Sequence, residues 1–485
     1  MLLTAITTAA AAATMTTAIV TTDQAVLRAS PRESAPQQAQ LWQGEVLEVR
    51  GERLDYLQVW DHRRERGGYV KAAQVKRTAL TAAEAPELLA VLRFIREAPG
   101  AESLGIGVAA AYLQAAPAET LRGETGAEAL DVLGTLADRL AQRASNGAAT
   151  SKHAQAALSA HLEVAARYGV KFHSYEQEGR IRICYDGEAF RRVLAMPAQP
   201  LQKARAALAL TQPECIAPNL QPQQRHDVNL WRADVLDRVD TAALPGHVRN
   251  RIALRRAAVW SAVAYERVRL GKSGEAAAQR AMGELAGVQR AELLEEDSAA
   301  SNESAMRVNA SRWAAVPAMA QAAPSTRPGI VTQPGQPGET CVLLVDAKRG
   351  TDNPLARRCT YALVWPQSAS LNREGNALAL AVQPMEAWRE LWLFRKQAGQ
   401  WTITVLPPAT LQPELGYAEF AGWVPGGQQV LVAREARGEG RYRRNYEVVS
   451  LDSLVTQRQS GDPDALGPFQ RWQDPAWKKM TVSLR

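Results

Sequence analysis

Apolar and polar residues alternate with a period of two at both ends of this chain and recur at helical spacing between them. In residues 18–77, Ile19-Val20 and Ala25-Val26-Leu27 precede a polar, turn-rich run from Arg28 to Ser34. Leu47 and Val49 share one face of the next stretch and Glu48 points the other way, before Gly51-Glu52-Arg53 turns the chain. From Tyr56 to Trp60, Leu57 and Val59 alternate with Tyr56, Gln58 and Trp60. The polar run Asp61–Arg66 then leads into Gly67-Gly68-Tyr69-Val70. Such alternation between turn signals predicts half-buried strands. Five of them in some sixty residues predict a small closed or nearly closed barrel.

Residues 80–315 read as a mostly helical domain. Thr81 with Glu84 fits a capping box, and Pro86 fits the first helical position. Leu88, Leu92 and Ile95 make one stripe, stopped by Pro99-Gly100; Leu130, Leu133, Ala137 and Leu140 make another. Ser151 can cap a helix that Gly169 ends. Val170-Lys171-Phe172 is expected to pair with Ile181-Arg182-Ile183 in a hairpin. Further helices are predicted near 227–240, 246–270, 274–295 and 297–315, after a loop rich in Pro and Gln at 211–226. Paired Ala-rich helices suggest a bundle or an irregular repeat array.

Pro324, Pro328, Pro334-Gly335 and Pro337-Gly338 mark 316–339 as a linker. Beyond it, 340–485 reads as strands, among them Val342–Val345, Leu378–Val382, Leu391–Phe394, Trp401–Leu406, Val430–Val432 and Tyr446–Leu451. Two segments echo each other: a polar turn with Gly375 before Leu378–Val382, and one with Gly427 before Val430–Val432.

With 485 residues, 46% of them hydrophobic, the chain can bury sizeable cores in about two to four domains. A net charge of +7 favours anionic neighbours without choosing among them. Residues 1–17, rich in Ala and Thr, read as a signal peptide or a disordered leader, although no Lys or Arg precedes Arg28. No apolar run reaches spanning length, so no transmembrane anchor is expected. The four cysteines fall as two local pairs, which suits an oxidising compartment. Of three possible connectivities, Cys184–Cys215 with Cys341–Cys359 is the one that respects the domain boundaries, each bond worth roughly 3–4 kcal/mol. Four buried free thiols are the alternative.

The head resembles a bacterial SH3 domain. The residues that carry the likeness are Leu27-Arg28-Ala29-Ser30-Pro31, Gly44 to Val49, Tyr56 to Val59 and Gly68-Tyr69-Val70. Tyr56 and Tyr69 stand where that family usually has Trp, which bears on ligand choice. The resemblance covers about an eighth of the chain and implies recognition of peptidoglycan or a peptide, not chemistry. Trp42, Tyr56, Trp60 and Tyr69, beside Arg63, Arg64 and Arg66, are its candidate groove, with ordinary barrel packing as the other reading. The two echoing segments resemble blades of TolB-like β-propellers, though Pro425-Gly426-Gly427 lacks the family's acidic turn residue; a sandwich or open meander competes.

Catalytic signatures are sparse. None of the six histidines lies in H-E-x-x-H, and His153 and His161 read as exposed helical residues. Glu266 stands where a P-loop ending in Gly271-Lys272-Ser273 needs Gly. No metal site and no cofactor are expected. The sequence therefore reads as a multidomain α+β chain, with a small SH3-like β-barrel, a helical domain containing a β-hairpin, and an antiparallel β region that is propeller-like or a sandwich. The expected role is a non-catalytic, exported binding or scaffold protein of a bacterial envelope, in the periplasm or beyond. Its expected partners are peptidoglycan or envelope proteins, not nucleic acid. The alternative is a wall-modifying hydrolase whose active site, with Cys184 as a possible nucleophile, lies in the helical domain.

Overall fold

The computed structural model describes residues 16–146, 151–177, 179–317, 326–410, 414–438 and 440–480. The leader expected at 1–17 therefore lies almost wholly outside the described residues. The chain forms two compact units, Met1–Asn219 and Leu220–Arg485. Their boundary falls within the 211–226 loop, inside the stretch that the sequence presents as one helical domain. No helix among the described residues is long and apolar enough to cross a membrane.

The first unit opens with seven strands: β1 (Thr17–Val20), β2 (Ala25–Arg28), β3 (Gln37–Leu41), β4 (Val46–Arg53), β5 (Tyr56–Asp61), β6 (Arg66–Lys71) and β7 (Val75–Thr78). They form one antiparallel sheet in the order β3-β2-β6-β5-β4-β1-β7. That path has two ends, so among the described residues the predicted barrel does not close. Two strands exceed the expected five. The edge strand β3 is Gln37-Gln38-Ala39-Gln40-Leu41, too polar to show alternation. Val20, Leu27, Leu47, Leu57, Val59 and Val70 make the sheet's core.

Seven helices and a hairpin follow: α1 (Ala85–Arg96), α2 (Glu102–Ala115), α3 (Ala118–Arg122), α4 (Glu124–Ser145), α5 (Lys152–Arg167), β8 (Phe172–Gln177), β9 (Arg180–Tyr185), α6 (Glu188–Ala195) and α7 (Pro200–Leu210). The stripe Leu88, Leu92 and Ile95 packs with Ile106, Tyr112, Leu136 and Leu140, and Ile19 of β1 joins them. Helix α2 is apolar nearly all round and sits inside this core, as such helices do. Ser151 caps α5 by accepting from the Ala154 N–H at 3.2 Å, and Gly169 takes φ +81° past its end. The Thr81–Glu84 capping box does not form; the Glu84 carboxylate accepts instead from the Ala79 N–H at 2.9 Å. The β8–β9 register pairs Phe172 with Tyr185 and Ser174 with Ile183, a tighter hairpin than the sequence suggests. Gly44 has φ +82°, and a Cβ there would lie 2.3 Å from the Ser103 carbonyl oxygen. The sheet and helices can meet this closely only because that position is glycine.

The second unit starts with α8 (Pro222–Asp237), α9 (Gly246–Arg269), α10 (Glu275–Ala286) and α11 (Ser298–Ser311). Part of the expected linker is in fact a strand. β10 (Gly329–Pro334) pairs with β11 (Thr340–Val345), and the Pro-Gly pairs occupy the turn between them. β12 (Ala356–Thr360) completes a three-stranded sheet. An eight-stranded sheet follows, made of β13 (Leu363–Leu371), β14 (Ala377–Met385), β15 (Trp388–Gln397), β16 (Gln400–Leu406), β17 (Leu415–Val424), β18 (Gln429–Gly438), β19 (Arg441–Ser450) and β20 (Thr456–Ser460). It consists of two antiparallel meanders of four, whose strands pair with each other, among the described residues, where Trp388 and Arg389 run parallel to Gly416 and Tyr417.

Strand alternation explains how these layers bury their faces. Leu378, Leu380, Val382, Trp392 and Phe394 pack on Val342 and Leu344. The intervening residues Ala377, Ala379, Leu391 and Leu393 pack on Val430, Val432 and Val449. The far face of the second meander, with Tyr417, Leu431 and Tyr446, is covered by Met306 of α11. Phe469 of α12 (Gly467–Trp472) and Trp477 of α13 (Pro475–Met480) cover it too. Trp365, Trp388 and Trp392 are buried as core residues.

Candidate binding face of the head sheet

The β5–β6 hairpin sets Tyr56 opposite Lys71, Gln58 opposite Tyr69 and Trp60 opposite Gly67. Leu57, Val59 and Val70 point into the core, so Tyr56, Gln58, Trp60, Tyr69 and Lys71 share the other face. On it Trp60 and Tyr69 are half-buried and Gln58 is exposed. The indole of Trp60 lies across Gly67, where a Cβ would approach its ring to 3.4 Å. The Arg50 guanidinium stacks 4.5 Å from the ring centroid, a cation–π contact. Arg28 is paired in register with Tyr69 and donates from Nη1 to the Ala35 carbonyl at 3.0 Å. That bond pins the 29–36 loop. Lys71 pairs with Glu33 from the same loop and holds the Glu33 carboxyl below its ordinary range.

Tyr56 is only 2% exposed. Its hydroxyl is buried without a hydrogen-bond partner among the described residues. It is thus the floor of this face and not part of its rim.

Two of the sequence candidates lie elsewhere. Trp42, just past β3, packs edge-on against His161, with ring centroids 6.4 Å apart. Arg64 is drawn into a carboxylate cluster, with Nη1 at 2.9 Å from Glu45 Oε2 and 2.6 Å from Asp61 Oδ2. Burial opposes its charge, but the bonds to Glu45 and Asp61 win and hold the guanidinium above its ordinary pKa. Arg63 shares Glu45 at 3.0 Å and reaches Glu163 at 2.6 Å. The sequence reading missed Arg28, Arg50 and Lys71. Their signal was the strand register, which brings positions distant in sequence opposite one another.

His161 corrects another expectation. It is 2% exposed, not surface-lying, and its Nε2 is 2.8 Å from Asp23 Oδ1. Burial raises the Asp23 pKa, but His161 outweighs this and leaves it below the ordinary value. His226, in the second unit, is also buried and lies 3.3 Å from Glu266.

The cysteines form the two local disulfides, Cys184–Cys215 and Cys341–Cys359. The first ties β9 to the loop after α7. The second links residues directly opposite on β11 and β12. With no free cysteine, Cys184 offers no thiolate to act as a nucleophile.

No family model matches this chain, and no curated protein or solved structure is significantly similar to it.

Proposed function

We propose that this chain is a non-catalytic, exported binding protein of a bacterial envelope, whose SH3-like head recognises peptidoglycan or an extended peptide. The observation that carries this reading is the outer face of the β5–β6 hairpin. There Trp60 and Tyr69 stand half-buried at diagonal positions of the hairpin, opposite Gly67 and Gln58, flanked by Arg28, Arg50 and Lys71. Aromatic surfaces beside cations suit sugar rings, peptide planes and the carboxylates of wall polymers. Two disulfides support an oxidising compartment. The stacked β-meanders of the second unit support a propeller-like arrangement for the tail. No cofactor and no nucleic acid enter this reading. The hydrolase alternative loses its nucleophile to the Cys184–Cys215 bond.

The test is co-sedimentation of the full chain with purified sacculi at low and moderate salt. Trp60→Ala and Tyr69→Ala should each reduce pelleting at least fivefold with the fold unchanged by circular dichroism. Tyr56 is unsuitable, because its burial makes it a packing residue. Unchanged pelleting in both variants, or no pelleting at moderate salt, refutes the wall-binding role of this face.

A further inference from the structure

The seam between the two four-stranded meanders opens at one end into a cavity of about 440 Å³, lined mainly by polar groups. Matching positions of the two halves build its walls. Asn376 and Ala377 lead into β14 as Gln428 and Gln429 lead into β18. Arg395 pairs with Ala377 as Ser450 pairs with Gln429. The two turns that echo each other in sequence also touch. The Gly426 N–H donates to Glu374 Oε1 at 2.9 Å, across 52 positions. Gly427, at φ +67°, approaches so closely that a Cβ would lie 3.0 Å from Glu374 Cγ. The cavity is therefore a built feature of the repeat, not a gap between loops.

Charge is where the halves differ. The first half places Arg395 where the second has Ser450. Arg395 is only 8% exposed. It reaches across the seam to the carbonyls of Leu451 and Asp452, bonds Thr404 Oγ1 on β16 of its own half, and its Nε has no acceptor among the described residues. Among the described residues all its bonds go to neutral oxygens, so its positive charge is left without a bonded carboxylate there. Asp452 brings one acid to the wall, whereas the Lys396 side chain, one position along β15 from Arg395, points to the other face of the strand. Gln397, Gln429 and Gln457 supply amides, which both donate and accept.

A cation held in a polar cavity without a carboxylate bond favours an anionic guest. Amides around it suit hydroxyl and amide groups, and the volume suits a single-sugar ligand. We infer that this cavity binds a small carboxylate that also carries hydroxyl and amide groups, the chemistry of an acidic amino sugar. Its carboxylate would face Arg395, and its ring would lie along Gln429 and Gln457. This site is separate from the head face and does not depend on it.

Isothermal titration of the full chain with N-acetylmuramic acid, N-acetylglucosamine and inorganic phosphate tests this inference. The acidic sugar should bind saturably, and the neutral sugar and the bare anion at least about tenfold more weakly. Gln397→Ala and Gln457→Ala, two wall residues, should each weaken binding several-fold, while Trp60→Ala should leave it unchanged. Arg395→Gln should abolish binding if its circular dichroism is native; Arg395→Lys keeps the charge if that variant does not fold. The inference is overturned by equal binding of the neutral sugar or by phosphate binding as tightly as the sugar. It is equally overturned by an absence of saturable heat up to about 10 mM ligand, or by full affinity in both Gln397→Ala and Gln457→Ala.

Discussion

Glu419 is the residue whose loss should cost the second unit most. It sits on β17, 3% exposed, between Arg312 at 2% and Arg389 at 0%. Arg312 Nε donates to its Oε2 at 3.1 Å, Arg312 Nη2 bonds its Oε1, and Arg389 Nη2 bonds its Oε2. One carboxylate thus serves two buried guanidiniums. Three of their donors, Arg312 Nη1 and Arg389 Nε and Nη1, have no acceptor among the described residues. Glu419→Gln keeps the shape and removes the charge. Two cations are then left uncompensated in the interior, a change that costs roughly 3–5 kcal/mol. With a guanidinium m-value of about 4 kcal/mol/M, the unfolding midpoint of this unit should fall by about 1 M. The assay is equilibrium unfolding followed by tryptophan fluorescence and near-ultraviolet circular dichroism. The triple variant Arg312→Met/Glu419→Leu/Arg389→Met should unfold within about 1 kcal/mol of the parent, because it removes all the charges together. The pH limb has a fixed sign. Burial pushes the Glu419 carboxyl up, but Arg312 and Arg389 outweigh it and hold it below 4.5. Its stabilisation is therefore present above pH 4.5 and disappears as pH falls through the lower folded value. A midpoint shift under about 0.2 M for Glu419→Gln, well below the ~1 M worked out above, refutes the reasoning.

Two further outcomes are expected. Replacing Cys184 and Cys215 together by Ser opens a loop of 31 residues and should lower the stability of the first unit by about 3–4 kcal/mol, read as a drop in its melting temperature. An unchanged melting temperature would mean the bond adds nothing that packing does not already supply. Glu266 has its pKa raised by burial to about 7, so the folded state holds a proton that the unfolded chain releases near 4.5. Stability should consequently fall as pH rises from 4.5 to 7, and Glu266→Gln should gain on the parent by roughly 2–3 kcal/mol over that window in denaturant titrations. Parallel stability curves for the two would refute it.

Local periodicity made much of the architecture legible. Strands such as Ala377–Met385 and Trp388–Gln397 carry apolar residues on both faces between turns, and the α1 stripe Leu88, Leu92 and Ile95 lies where its spacing puts it. Helix α2 escaped notice because Gly105, Gly107, Val108 and Ala109 give it no polar face to mark a period. Strand β10 was hidden by the Pro and Gly residues that form the turn after it. The head face was half legible. Tyr56, Trp60 and Tyr69 share a side because alternation places them there, whereas Trp42 and Arg64 were offered for the same groove with no strand position to assign them a face. Strand pairing separates them, and it also brings in Arg28. The Arg312–Glu419–Arg389 cluster joins residues more than a hundred positions apart. Its only trace in sequence is a lone charge inside an otherwise apolar strand, Leu415–Val424.

Each disulfide closes inside its own unit, one over 31 residues and one over 18. In any chain delivered N-terminus first to an oxidising compartment, the first pair of thiols would emerge and could be oxidised before the second pair arrives. Correct pairing is then settled by order of arrival, and a mispaired bond would have to wait for a partner still in transit. Such a chain should need little help from a disulfide isomerase to mature.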